Sequence, residues 1–339
     1  MAAASQSHVD VLIIGAGLSG IGAACHLARR RPNTSYAILE ERAALGGTWD
    51  LFRYPGIRSD SDMFTMGYSF EPWTDPAAVA DGPSILDYLT RTARHHGVDR
   101  AIRYQHRVVR AEWSSHTALW TVAVDRTDTG EHIQMTCSFL WLCAGYYRYD
   151  QGYAPDWPGK EQFHGEVVHP QHWPDDLDVT GRHVVVVGSG ATAVTVVPAL
   201  ARDAAHVTML QRTPSYVMPV PGDDVVARTV LAALPPRAAH GVMRWKNVLV
   251  GQGMYTLSRR RPELARRLIR RAQQNYLPTG FDADTHLNPP YNPWDQRVCM
   301  VPDGDLFDAV SSARASIVTD TIERFEPGGV RLSSGEVLT

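Results

Sequence analysis

Two glycine-rich turns hold the residues of this chain whose types and spacing could do chemistry. The first, Gly15-Ala16-Gly17-Leu18-Ser19-Gly20, follows the apolar run Val9 to Ile14. The second, Gly188-Ser189-Gly190-Ala191-Thr192-Ala193, follows His183-Val184-Val185-Val186-Val187. In such a turn the first glycine allows a tight bend and the second lets the backbone approach a pyrophosphate. The third position, glycine or alanine, lets the next helix pack closely on the strand. That helix presents a partially positive N-terminus to the phosphates. Two dinucleotide sites on one chain provide for passage of electrons from one nucleotide to the other.

The residues that end the second strand of each unit differ. After Ser35-Tyr36-Ala37-Ile38-Leu39 stands Glu40, 20 residues beyond Gly20. A carboxylate there accepts hydrogen bonds from adenosine ribose hydroxyls and repels a 2′-phosphate, so this site suits FAD or NAD. After Ala205 to Leu210 come Gln211, Arg212 and Thr213, with no acid in the corresponding place. The Arg212 guanidinium can pair with a 2′-phosphate, which predicts NADPH over NADH at the second site.

These turns require a strand, a helix and a second strand at each site. The pattern predicts helices over about Leu18 to Arg30 and Ala191 to Ala201, and helical structure from 225 to 277. Phe139-Leu140-Trp141-Leu142-Cys143-Ala144-Gly145 reads as a buried strand ending at glycine. Tyr153 to Gly159, rich in proline and glycine, reads as a domain boundary. The fold class expected is α/β with two dinucleotide-binding, Rossmann-like domains. Residues 1–150 form the first domain and 151–180 a linker. Residues 181–325 form the second domain, and 326–339 begin a return to the first.

Several further strings resemble one family. Gly46-Gly47-Thr48-Trp49, with Arg53-Tyr54-Pro55-Gly56-Ile57-Arg58-Ser59-Asp60 after it, resembles the flavin-adjacent segment of flavin-dependent monooxygenases. Phe163-x-Gly165-x-x-x-His169-x-x-x-Trp173-Pro174 matches the F-x-G-x-x-x-H-x-x-x-W-P fingerprint of Baeyer–Villiger monooxygenases. Asp50 to Gly56, Arg244-Trp245-Lys246-Asn247 and Pro290-Tyr291-Asn292-Pro293-Trp294-Asp295-Gln296-Arg297 resemble the ethionamide-activating branch. Many relatives place lysine where this chain has Gln296.

The resemblance implies FAD in the first domain, with Gly47, Thr48, Trp49 and Asp60 near it and the strand around Val108 meeting the adenine. It implies NADPH in the second domain. The reaction implied runs from NADPH to flavin to O2, and a C4a-peroxyflavin then attacks a ketone, giving an ester, or attacks sulfur in thioamides and sulfides. Arg297 is the implied cation for the peroxide, with Asp60 as its acidic partner. His169 is read as structural. An amine- or sulfur-oxidising enzyme without ketone activity is a second reading. The family continues past Thr339 with a strand that returns to the first domain. The resemblance therefore implies an FAD domain that is discontinuous and incomplete here, and an inactive nucleotide-binding remnant is the third reading.

Bulk composition narrows the rest. The 339 residues are 44% hydrophobic and 20% charged, with a net charge of −3, which argues against a nucleic-acid partner. The four cysteines form no C-x-x-C pair, which argues against a zinc site and a dithiol reductase. The cysteine usage leads to the expectation of a cytoplasmic, reducing setting, and no basic run precedes the first apolar stretch, so no signal peptide is expected. The arginine-rich stretch from 259 to 271 reads first as a solvated helix face, with anionic membrane contact as the lesser alternative.

Overall fold

The computed structural model describes residues 7–339, which divide into two compact units. The first holds residues up to Phe52 and Gly82–Gly152. The second holds Arg53–Asp81 and Tyr153–Thr339.

The first unit begins with β1 (Ser7–Ile14), α1 (Leu18–Arg30) and β2 (Tyr36–Leu39). The predicted strand–turn–helix–strand order is thus present, and the helix bounds agree. Helix α1 buries Gly20, Gly22, Ala23, Ala24 and Cys25, small enough to lie close on the sheet, and ends in Arg29 and Arg30, which suit its negative pole. Then come α2 (Thr48–Leu51), α3 (Met63–Met66, in the second unit) and α4 (Gly82–His95). Strands β3 (Ile102–Arg103), β4 (His106–Ser114), β5 (Leu119–Arg126) and β6 (His132–Leu142) complete one sheet, ordered β3-β2-β1-β6-β5-β4. Its β3-β2-β1-β6 part is parallel and β6-β5-β4 is an antiparallel meander. Val9, Leu12, Leu39, Val122, Val124 and Met135 form a core beneath it.

One expectation fails in this sheet. The end of β6 is not buried: Phe139 is 56% and Leu142 70% exposed. Strand β5 pairs with β6 only as far as Cys137, so 139–142 are flanked by β1 on one side alone.

The second unit contains β7 (His183–Val187), α5 (Ala191–Leu200) and β8 (His206–Gln211). Strand β9 (Tyr216–Val220) precedes the helices α6 (Val225–Ala233), α7 (Pro236–Arg260) and α8 (Pro262–Gln274). The helical reading of 225 to 277 therefore agrees with the structure. The rest is α9 (Ala283–His286), β10 (Val298–Pro302), α10 (Asp305–Ser311), β11 (Ala315–Thr319), β12 (Ile322–Glu326), β13 (Gly329–Leu332) and β14 (Val337–Leu338). Strands β11-β8-β7 form a parallel sheet, β9 and β10 a parallel pair, and β12-β13-β14 an antiparallel sheet.

The sequence division at about 150 puts residues 53–81 in the first domain, whereas they pack with the second unit. The reasons are local. A Cβ on Gly56 would lie 2.8 Å from the Thr195 carbonyl oxygen of α5. Arg58 holds Asp305 with two hydrogen bonds, at 2.5 and 3.1 Å. Arg244 of α7 donates to the carbonyls of Phe64, Thr65 and Gly67 at 3.0–3.1 Å, and Asn247 donates to Asp62.

The fingerprint string also lies in the second unit. Phe163 meets Phe325 of β12 edge-on, and Trp157 meets the same ring. His169 Nδ1 accepts from the Gln171 N–H and caps a single 3-10 turn, Pro170–His172, consistent with a structural role.

Candidate functional site

In the first unit a cavity of about 560 Å³ opens at the C-terminal ends of β1 and β2. The dinucleotide turn explains its shape. Gly15 has φ +101°, and a Cβ on it would come within 2.5 Å of the Cys143 carbonyl oxygen. A Cβ on Gly20 would overlap the Gly15 carbonyl oxygen, so the third glycine is needed for helix packing, as the spacing predicts. Gly15, Gly17, Leu18 and Ser19 line the cavity, so the N-terminal first turn of α1 faces it. The helix dipole there favours a negatively charged ligand group.

Glu40 lines the same cavity and is only 4% exposed. Its carboxylate accepts the Ala16 N–H at 2.8 Å and the Arg42 N–H at 3.0 Å. Burial nevertheless dominates and raises its pKa above the ordinary glutamate value. Gly47, Thr48, Trp49 and Val108 line the cavity too, so the structure gathers nearly all the residues expected at the first site. Asp60 lies in the second unit instead.

Three contributors here were missed by sequence reasoning. Arg42 donates to the Gly47 carbonyl at 3.3 Å, pairs with Asp50 at 2.6 Å and lies over the Tyr149 ring. Tyr149 hydrogen-bonds the Thr48 side chain, and burial raises its phenol pKa. The segment Cys143–Asp150 forms one wall. Only its aromatic run, Tyr146-Tyr147-x-Tyr149, was available as a signal in the sequence.

In the second unit a cavity of about 740 Å³ is lined by Gly188, Ser189, Arg212, Thr213, Ser215 and Gln296, among others. Gly188 has φ +132°, which demands glycine, and a Cβ at Gly190 would meet no atom within 4 Å. The protein itself leaves room beside this turn, as a cradle for an absent phosphate group would. Ala193 is buried at the third position, and Thr192 in the first turn of α5 is hydrogen-bonded by Tyr54. Ala191 opens the helix. Arg212 is exposed at the end of β8 and makes no hydrogen bond or ion pair among the described residues. Its neighbour in space was not foreseen. Ser189 donates to the Thr213 carbonyl at 2.9 Å and lies 3.0 Å from the Ser215 hydroxyl, joining the glycine turn to the Arg212 loop.

Arg297 immediately precedes β10 and is exposed; Asp60 is half-buried. No direct ion pair joins the two among the described residues. They are linked through the surroundings of Cys299 instead. Burial raises that thiol to about 11, Arg297 opposes the shift and Asp60 adds to it. Neither residue lines the 740 Å³ cavity.

Two Rossmann-type turns with opposite strand-end charges, the first packed on a flavin-type Gly-Gly-Thr-Trp loop, define a two-nucleotide oxidoreductase. The flavin-binding monooxygenase-like family model matches residues 9–232, and the chain belongs to that family. It is 52% identical over 333 residues to the FAD-containing monooxygenase EthA of Mycolicibacterium smegmatis, covering 98% of this chain and 67% of that protein. An oxidised steroid monooxygenase bound to NADP superposes with a TM-score of 0.80 at 23% identity, over 98% of this chain and 69% of that one. OTEMO in complex with FAD and NADP gives 0.78 at 22% identity, over 98% and 70%. The expected α/β fold with two dinucleotide domains and the monooxygenase class are therefore both shown. No helix among the described residues is long and apolar enough to cross a membrane.

Proposed function

We propose that the chain is an FAD- and NADPH-dependent monooxygenase that places one atom of O2 into a small ketone, giving an ester, or onto sulfur in a thioamide or sulfide. The observation that carries the cofactor reading is the contrast between the two cavities. One sets a buried carboxylate, Glu40, beside its glycine turn; the other sets an unpaired guanidinium, Arg212. Both volumes fall within the roughly 300–1,000 Å³ usual for small-molecule sites. FAD-containing EthA and the NADP-bound steroid monooxygenase support the same pair of cofactors.

FAD, when bound, supplies the two-electron chemistry and the activation of oxygen. The chain's own residues bind and orient. Glu40 offers carboxylate oxygens to the ribose hydroxyls, and the first turn of α1 faces the pyrophosphate. Gly47, Thr48 and Trp49, which line the cavity, would hold the ring system, with Arg42 and Tyr149 keeping that loop in place. In the second unit Arg212 and Thr213 take the 2′-phosphate and the turn Gly188–Ala193 the pyrophosphate. Arg297 would offer the fixed cation for negative charge developing on oxygen, with Asp60 as its acidic partner.

The deciding experiment adds FAD to the purified chain and records its visible spectrum before and after NADPH without air. A bound flavin band that bleaches with NADPH supports both sites. Incubation in air with a simple ketone and a simple sulfide then separates the substrates: ester product supports the Baeyer–Villiger reaction, and sulfoxide alone points to sulfur oxidation. No retained flavin overturns the proposal for this chain.

A further inference from the structure

Residues 236–274 carry ten arginines and lysines against one acid, Glu263, in a chain whose net charge is −3. A purely solvated pair of helices would turn polar residues outward. The structure shows otherwise. On α7 the outward row is Val242, Trp245 and Leu249, at helical spacing, with Trp245 66% and Leu249 67% exposed. Helix α8 turns Leu264 and Leu268 outward, and Arg267 and Arg271 share that face.

The seven arginines from 259 to 271 fall into two groups. Arg259 pairs with Asp295, Arg270 with Asp284, and Arg266 donates to Asn292. Arg260, Arg261, Arg267 and Arg271 are exposed, and their side chains make no hydrogen bond or ion pair among the described residues. Four unpaired cations thus stand within two helical turns of exposed leucines. An acidic protein or a nucleic acid would satisfy the charges but leave the tryptophan and leucines in water. A surface with anionic headgroups above an apolar layer satisfies both, and helices with this division lie in the interface plane.

We infer that α7 and α8 form a peripheral docking surface for an anionic phospholipid bilayer. Trp245, Leu249, Leu264 and Leu268 enter the headgroup–acyl boundary, and Arg260, Arg261, Arg267 and Arg271 meet the lipid phosphates. The attachment is reversible, because the apolar area is small and the charge contribution is screened by salt. It keeps the enzyme beside membrane-dissolved apolar substrates.

The test sediments the FAD-loaded full chain with vesicles of phosphatidylcholine alone or mixed with phosphatidylglycerol. Binding is expected to the mixed vesicles only and to fall steeply as salt rises. Each of Arg260→Gln, Arg261→Gln, Arg267→Gln and Arg271→Gln should lower partitioning about fivefold, and arginine-to-lysine variants should keep it. The pair Trp245→Ser and Leu249→Ser should lower binding with the flavin band and melting temperature unchanged. No sedimentation at low salt would overturn the inference, with or without variants. So would binding that survives both sets of substitutions, or a surface that instead sets the oligomeric state or retains only an acidic polymer.

Discussion

Gly17 and Gly47 meet backbone to backbone: a Cβ on Gly47 would lie 3.0 Å from the Gly17 Cα. The Gly46 N–H donates to the Ala16 carbonyl at 3.0 Å and seals the contact. The dinucleotide turn and the Gly-Gly-Thr-Trp loop are therefore one structure, although 27 residues separate the last glycine of the first from the second glycine of the other. Gly47 also has φ +56° with ψ −121°, which side chains strongly disfavour. Gly47→Ala should cost about 1–3 kcal/mol from backbone strain alone and displace the loop from the turn. The expected result is a lower flavin-to-protein absorbance ratio after purification and a lower melting temperature, both only partly restored by excess FAD. Unchanged flavin content would show that the contact does not shape the site.

Arg212 and Ser189 act on the same cofactor in different ways. A charge-assisted contact to the 2′-phosphate contributes about 1.5–3 kcal/mol, so Arg212→Ala should lower the NADPH-over-NADH preference roughly 10- to 150-fold. Ser189 touches the Thr213 carbonyl and positions the Arg212 loop. An ordinary hydrogen bond contributes about 1 kcal/mol, so Ser189→Ala should lower the same preference roughly fivefold, through KM for NADPH more than kcat. Steady-state kinetics with both nicotinamides gives the ratio. Equal losses with NADPH and NADH would mean that Ser189 serves general stability only.

How much of this was legible beforehand depends on the range of the interaction. The glycine turns, their helices and the strand-end residues Glu40 and Arg212 are local patterns, and the structure keeps them. Residues 53–81 pack with the second unit through anchors that are distant in sequence: Gly56 against Thr195, Arg58 on Asp305, and Arg244 on the end of α3. Arg42 and Tyr149 were missed because neither belongs to a spaced motif. Phe139 and Leu142 were read as buried from composition, which reports apolar character but not whether a neighbouring strand is present.

Burial makes Glu40 pH-sensitive. Its folded pKa is raised, so the stability it contributes is complete below the ordinary glutamate pKa and is lost as pH rises through the raised folded value. The FAD-free chain should therefore lose stability across the range just above the ordinary glutamate pKa, and Glu40→Gln should flatten that part of the profile. The same variant should weaken FAD binding, because one of its two terminal atoms can no longer accept a hydrogen bond. Melting curves across pH, with and without FAD, separate the two effects. A Glu40→Gln profile parallel to the parent's would exclude Glu40 as the source.

Arg297 is exposed, makes no ion pair among the described residues and lines neither cavity, so its removal should cost little stability. That makes it a clean test of the proposed oxygen-transfer role. Arg297→Ala should retain FAD and its melting temperature, still be bleached by NADPH, and form product about 10²- to 10³-fold more slowly, the usual cost of losing one preorganised charge donor. Flavin reduction should survive because it needs Arg212 and the glycine turns rather than Arg297. Arg297→Lys should recover part of the product, since charge is kept while the planar fork is lost. The arms to measure are anaerobic bleaching and product per NADPH consumed. Normal product yield in Arg297→Ala would remove the residue from the mechanism. Loss of bleaching would move its role to nicotinamide binding, beside Gln296, which does line the second cavity.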